Sequence, residues 1–203
     1  MTGNDVHDAY AGRAAEYTAL LGSMAKTHEL DRQLVARWAR DVQGAVIDAG
    51  CGPGQWTDFL NGLGVTAEGV DHVEAFIVQA RTRFPDVPFR VASLADLGGK
   101  DGCAGAILAW YSVIHLAPTE IQSALREFAR CLTPGGSLLL GFFEGDSVAQ
   151  FPHAVTTAYF WPVGEMSAQL EAAGFQVREV HTRTDPGSRP HAAIVAQRLD
   201  QLA

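Results

Sequence analysis

The chain is poor in cysteine, poor in positive charge and without a long apolar run. Cys51, Cys103 and Cys131 are odd in number and share no paired spacing. That argues against a disulfide framework or a zinc site and fits a reducing cytoplasm. Lys and Arg total 15 against 23 Asp and Glu, a formal net charge of -8, and the cations are scattered. Such a surface repels phosphate backbones, so a nucleic-acid partner is disfavoured. No apolar stretch is long enough to span a bilayer. The opening "MTGNDVHDAY" lacks the basic-then-apolar order of a secretory leader. Repeats and low-complexity segments are absent too. What is present is a 203-residue chain, 47% hydrophobic and 19% charged, a size and balance suited to one soluble cytoplasmic domain with one sizeable core.

Its apolar pattern alternates between two periods. Residues 10–21 and 30–39 carry apolar side chains at helical spacing and contain no proline. Short strands are expected at 45–49, 65–70, 87–92 and 104–109, with helices at 55–62 and 73–84 between them. Residues 104–109 are apolar on both faces, as an interior parallel strand requires. A helix opens near Pro118 and runs to Leu132; "TPGG" then turns tightly into a strand at 137–143. A helix at 164–173 and strands at 175–181 and 191–197 close the pattern. The last two strands have no helix between them, so they pair antiparallel at the edge. Helices alternating with strands imply a doubly wound α/β sandwich with a mostly parallel sheet. The expected divisions are a helical cover over 1–42, a ligand-binding core over 43–143 and a closing segment over 144–203, all one domain.

Chemistry first shows in "VIDAGCGPGQWT". A strand ending here feeds the crevice where open parallel sheets bind ligands. Gly50, Gly52 and Gly54 allow close backbone approach and conformations barred to other residues. A dinucleotide turn would read G-x-G-x-x-G and hold a pyrophosphate. Here Asp48 stands two residues before the first glycine; it suits a cationic ligand end such as an amino group, and not a pyrophosphate. Asp71, 23 residues beyond Asp48, ends the second strand and can accept from both hydroxyls of a ribose. The other reading of Asp71 is a helix cap before Val73. A ribose without a pyrophosphate, joined to an amino-acid end, describes S-adenosylmethionine.

The order "VIDAGCGPG", "GVD", "ASLADL", "AWYSVIHL", "LTPGGSLLLGFF" resembles the class I S-adenosylmethionine-dependent methyltransferases, strongly over residues 40–145 and loosely elsewhere. The resemblance implies a seven-stranded sheet with an antiparallel edge strand. It implies that Gly50, Cys51 and Gly52 lie along the methionine and ribose of the cofactor. Asp71 would hold the ribose, His72 would lie beside the adenine, and Ser93 and Leu94 would bracket it. Many relatives carry an acid where Ser93 stands, and a serine accepts from the adenine amino group more weakly. Ala109, Trp110 and Tyr111 would border the sulfonium, whose cation aromatic faces tolerate. The segment "AYAGRAAEYTALL" resembles the helix that small-molecule methyltransferases lay over the cofactor, with Tyr10 and Tyr17 reaching the methionine carboxylate; both rings could equally cover the core.

These readings imply direct in-line methyl transfer from S-adenosylmethionine to a small-molecule acceptor, at oxygen, nitrogen or a carboxylate, leaving S-adenosylhomocysteine. The stretch "AWYS" differs from the Asn-Pro-Pro-Tyr of enzymes that methylate adenine or glutamine nitrogens. Tyr111 and His115 are the catalytic candidates. His115 could take a proton from the acceptor, or could bond to backbone and fix a turn. The aromatic residues of 144–161, with Glu144 and His153, would form a substrate lid or a homodimer contact. Arg183 and Arg189 would face an acidic acceptor or simply solvent. A non-catalytic S-adenosylmethionine-binding protein and a resistance methyltransferase for a toxic or inorganic acceptor are the rival readings. No metal is expected.

Overall fold

The computed structural model describes Thr18, residues 22–153 and residues 157–200. Tyr10 and Tyr17 lie outside the described residues, as does the helix expected at 10–21 apart from Thr18, which is helical. The main elements begin with α1 (Glu29–Arg40), β1 (Val46–Ala49), α2 (Gln55–Gly62), β2 (Ala67–Asp71), α3 (Glu74–Arg83) and β3 (Phe89–Val91). They continue with β4 (Ala104–Trp110), α4 (Ile121–Cys131), β5 (Leu132–Glu144), β6 (Ala149–Pro152) and β7 (Thr157–Trp161). The chain then forms α5 (Val163–Ala172), β8 (Phe175–Arg183) and β9 (His191–Arg198).

The strands β3, β2, β1, β4 and β5 lie side by side in that order, all parallel. The far edge of β5 pairs antiparallel with β9 over Ser137 to Phe143, and β9 pairs antiparallel with β8. Alternation along β4 explains the layers. Ile107 and Ala109 face a core built with α4, through Leu125 and Phe128, and α5, through Met166 and Leu170. Ala106 and Leu108 face the opposite core, built with Val35 and Trp38 of α1 and Trp56 and Leu60 of α2. A strand buried on both faces has no room for polar side chains, which is why "AGAILAW" carries none. Helix α4 buries Ile121, Ala124, Leu125, Phe128 and Cys131, one stripe at the helical period. Acids open α1 (Glu29, Asp31) and arginines close it (Arg37, Arg40), matching its dipole.

The mostly parallel, doubly wound sheet is as expected; three details differ. Nine strands are present among the described residues, not seven. The extra two, β6 and β7, form a hairpin from residues expected to be a lid or a contact loop; β7 prolongs the sheet by pairing with Phe143 and Glu144 at the tip of β5. The reversed strand is not at the edge. Strand β9, with Ala192, Ile194 and Ala196 buried, takes the inner place, and the more polar β8 takes the edge. Lastly, "TPGG" is not a separate turn. Strand β5 starts at Leu132, which pairs with Ala104, and the register shifts once before Ser137 meets Ala106. An irregularity inside a strand accommodates Gly135 at φ 73° without ending the ladder.

One consequence of this topology positions everything that follows. The carboxyl ends of β1, β4 and β5 share one end of the sheet. Because β9 runs the other way, its first residue, His191, lies at that same end, opposite Phe143.

Candidate active site

A cleft of about 470 Å³ opens at this end of the sheet. One wall is the turn after β1. Gly50, Gly52 and Gly54 all have positive φ (77°, 53° and 87°). A side chain at Gly50 would meet Ser112 Cβ at 2.2 Å, so the loops after β1 and β4 touch only because residue 50 has none. A Cβ at Gly52 would meet nothing within 4 Å; it would project into open space on a residue that lines the cleft. The amides of Gly50 and Cys51 both donate to the Val70 carbonyl, at 2.7 and 2.9 Å, tying the turn to β2.

Two buried carboxylates lie beneath it. Asp48 is 1% exposed and accepts from the Thr57 hydroxyl at 2.7 Å. Burial pushes its carboxyl up to about 7, against the Thr57 bond and with help from the nearby Asp71 charge. Asp71 accepts from the Gly52 amide at 2.9 Å and the Val73 amide at 2.8 Å. Burial raises its carboxyl too, opposed by those amides and by His72, whose Nδ1 is 3.6 Å away. Neither acid has a lysine or arginine partner among the described residues, and Asp48 lines the cleft. A buried carboxylate without a cation is an unfavourable arrangement until a ligand supplies one. The donor set therefore fits a ligand with a cationic end and vicinal hydroxyls, lying over Gly52.

The facing wall is aromatic. Gly141 of β5 leaves room for the Trp110 ring, whose Cε3 would lie 3.0 Å from a Cβ there. Trp110 meets Trp56 and Tyr111 edge-on, each at 5.5 Å between centroids. Tyr111 is the one non-glycine residue with positive φ among the described residues, at 56°. That conformation is strained by about 1–2 kcal/mol for a residue with a Cβ. Its hydroxyl is hydrogen-bonded to Nδ1 of His191, and its ring lies 5.0 Å from Phe143. Burial holds the Tyr111 hydroxyl protonated far above its usual range. Phe143 also meets His191 at 5.6 Å and His153 at 5.7 Å, so the wall is continuous. At the mouth, Arg183 binds Asp31 of α1 (2.5 Å) and Asp185 (2.7 Å) and joins α1 to β8.

Of the residues singled out from sequence, Asp48, Gly50, Cys51, Gly52, Trp110, Tyr111, His153 and Arg183 line this cleft. Gly54 starts α2 beneath Phe89 and serves packing. Ala109 is fully buried in the core. Asp71 meets the cleft only through Gly52, and it also makes the cap-like bond to Val73. His72, Ser93 and Leu94 do not line the cleft; the Ser93 hydroxyl accepts from the Ala95 amide at 3.2 Å, and Leu94 packs on the core. Cys51 is buried and its thiol is pushed well up, which leaves it inert. His115 does not line the cleft. Its Nδ1 bonds the Thr157 carbonyl at 2.7 Å, and burial pushes the ring down to about 4. Arg183 is engaged by two aspartates, and Arg189 lies over the Phe151 ring at 4.6 Å. His191, Asp31 and Trp56 were not legible as site residues. No local motif marks them; only the register of β9 and the packing of α1 and α2 bring them here.

A family model described as a methyltransferase domain matches residues 46–136. The chain is 28% identical over 160 residues to a probable S-adenosylmethionine-dependent methyltransferase of Mycolicibacterium smegmatis, covering 76% of this chain and 60% of that one. It is 33% identical over 111 residues to the trans-aconitate 2-methyltransferase of Variovorax paradoxus, covering 54% of this chain and 42% of that one. It thus spans only part of the length of the curated relatives it matches. Among solved structures, the Burkholderia thailandensis 1,6-didemethyltoxoflavin-N1-methyltransferase, with 1,6-didemethyltoxoflavin and S-adenosylhomocysteine bound, superposes with a TM-score of 0.78 at 18% identity. That match covers 98% of this chain and 92% of the other.

Proposed function

We propose, for a chain that belongs to the class I S-adenosylmethionine-dependent methyltransferases, that it transfers a methyl group from that cofactor to a small-molecule acceptor held in the same cleft. The observation that carries this reading is the pairing of opposite walls: buried carboxylates without a lysine or arginine partner among the described residues, under an open glycine turn, and aromatic rings facing them. In this reading Asp48 takes the amino group of the cofactor and Asp71 its ribose hydroxyls. Gly52 gives the ligand room, and His72, Ser93 and Leu94 flank the adenine. Tyr10 and Tyr17 close over the methionine end.

Bound S-adenosylmethionine supplies an electrophilic methyl on a sulfonium. The protein's part is alignment and exclusion of water, since the displacement needs nucleophile, carbon and sulfur in line. Trp110 and Tyr111 present ring faces and edges where the positive charge disappears during reaction. His115, bonded to the backbone of β7, is read as a positioning residue for the hairpin. Calorimetry with S-adenosylhomocysteine and with NAD tests the reading. One S-adenosylhomocysteine per chain and weak or no NAD binding are expected; tighter binding of NAD would overturn it.

A further inference from the structure

His191 has no role in the resemblance or in the relatives' names, yet it stands at the centre of the aromatic wall. The ladder fixes it opposite Phe143 on β5 and Arg183 on β8. Tyr111 reaches it from the end of β4, ring edge to ring face at 5.6 Å and 85°, and binds Nδ1 through the hydroxyl. Among the described residues no hydrogen bond or ion pair reaches Nε2, which stays open on a residue that lines the cleft. This is the arrangement of a histidine whose one nitrogen is fixed so that the other can work.

The surroundings decide its charge state. Arg183 and Asp185 face it from β8 and the loop beyond, Asp31 and His28 from the α1 side, and Tyr111 from just after β4. Arg183 is shared by Asp31 and Asp185, so the ring meets little net charge. Burial, then Arg183, lowers its ionisation below the usual histidine range, so the ring is neutral near pH 7. For Nε2 to accept a proton the neutral ring must carry its hydrogen on Nδ1, and Nδ1–H then donates to the Tyr111 oxygen in both the neutral and the protonated ring.

Resting on the methyl-transfer reading above, we infer that His191 is the base for a flat aromatic acceptor bearing a phenol-type hydroxyl, with Tyr111 orienting it. The hydroxyl proton passes to Nε2. The oxygen electron pair forms the new bond to the methyl carbon, and the carbon–sulfur bond breaks with its pair left on sulfur. The products are an aryl methyl ether, S-adenosylhomocysteine and a protonated His191, whose Nδ1–H donates to the Tyr111 oxygen until the ring loses its proton to water. The acceptor class follows from the wall. Tyr111, Phe143, His153 and His191 offer faces and edges to a planar ring. A polycarboxylate would instead meet Asp31, Asp48 and Asp185, against which the cleft sets Lys26 and an Arg183 that is already paired.

Two probes of one skeleton test this: 1-naphthol, un-ionised at pH 8, and 4-nitro-1-naphthol, ionised there, with trans-aconitate as the carboxylate control. The wild-type protein should methylate both naphthols. His191→Gln should lower kcat/KM for 1-naphthol by roughly 10²–10⁴-fold, and by only about tenfold or less for 4-nitro-1-naphthol, which needs no base. The wild-type 1-naphthol profile should rise with pH on the acid side of about 6.5, as His191 loses its proton, and that rise should vanish in the variant. Tyr111→Phe should move the midpoint of that rise. Independently of turnover, 4-nitro-1-naphthol added to the S-adenosylhomocysteine complex should shift the ¹⁵N resonances of His191. If His191→Gln fails to bind S-adenosylhomocysteine, the wild-type pH profile and the ¹⁵N titration decide. Equal losses on the two naphthols, an unmoved His191 resonance, or consumption of neither naphthol would overturn the inference while leaving the methyl-transfer reading intact. Failure of the wild-type protein to bind S-adenosylhomocysteine would instead overturn that earlier reading.

Discussion

At the end of β1 the cleft is walled by main chain and two buried acids, whereas at the ends of β4, β5 and β9 it is walled by rings. The first wall depends on backbone conformations that glycine alone adopts without cost and on a contact, Gly50 against Ser112, that admits no side chain. The second depends on ring contacts 5–6 Å apart between centroids, which tolerate exchange of one aromatic residue for another. A protein with this division can keep its donor and change its acceptor. Variation at the glycine turn threatens the fold, and variation at the rings alters what fits.

The most forceful test of that contrast is within the glycine turn. Gly50→Ala places a Cβ 2.2 Å from Ser112 Cβ at a φ of 77°. A loss of about 3 kcal/mol or more in urea denaturation is expected from overpacking and strain together. Gly52→Ala has open space around the new Cβ. It should cost only about 1–2 kcal/mol in stability, from the positive φ, yet weaken S-adenosylhomocysteine binding. Equal stability in the two variants would break the contrast. Asp71→Ala comes next. Losing hydrogen bonds to the ribose should weaken S-adenosylhomocysteine binding by roughly 2–4 kcal/mol in calorimetry. The Gly52 and Val73 amides also lose their acceptor, so the melting temperature should fall as well.

The donor wall also predicts a pH dependence. Asp48 titrates up to about 7 in the free protein, and an amino group beside it favours the ionised form. Binding then releases a proton below that value. Affinity for S-adenosylhomocysteine should rise by up to about tenfold per pH unit between pH 5 and 7 and level off above. Asp48→Asn should flatten the profile. The same shift affects folding with the opposite sense: from pH 4 to 7 the folded chain holds a proton that the unfolded chain has lost, so this residue's contribution to stability declines as pH rises.

The smallest effect belongs to His115. His115→Gln removes a hydrogen bond to the Thr157 carbonyl and should cost about 1 kcal/mol, with S-adenosylhomocysteine affinity unchanged. Its ring is pushed down to about 4, below the unfolded value near 6.5. Between those limits only the unfolded chain binds the proton, so stability drops as pH falls from 6.5, and the variant should lose part of that drop. A large loss of cofactor affinity would place His115 in the cleft after all.

Features carried by one short segment could be placed from sequence. The glycine spacing, the acids two residues before Gly50 and at the end of β2, and the two-sided apolar pattern of β4 each lie within one short segment. Features that depend on distant pairing could not be placed so. His191 looks like the first residue of an ordinary strand until the β5–β9 register sets it beside Phe143. The hairpin β6–β7 was hidden because its aromatic residues read equally well as a lid, and the inner place of β9 follows from packing against both neighbours. The two readings of His115, base or backbone anchor, could not be separated for the same reason: its partner, Thr157, is 42 residues away.

The central placement of β9 also bears on how the chain reaches this structure. Two ladders of the sheet join distant residues: β1 with β4, where Val46 meets Ala106, and β5 with β9, where Gln197 is as far from Ser137 in sequence. Until β9 pairs, Leu138, Leu140 and Phe142 border an unsatisfied ladder, the kind of edge that recruits other chains. Docking of β9 is therefore one of the two longest-range pairings of the sheet, with the loop-closure cost that such pairings carry. It caps that edge and delivers His191 in one movement, so a molecule whose edge is still sticky also lacks its aromatic wall.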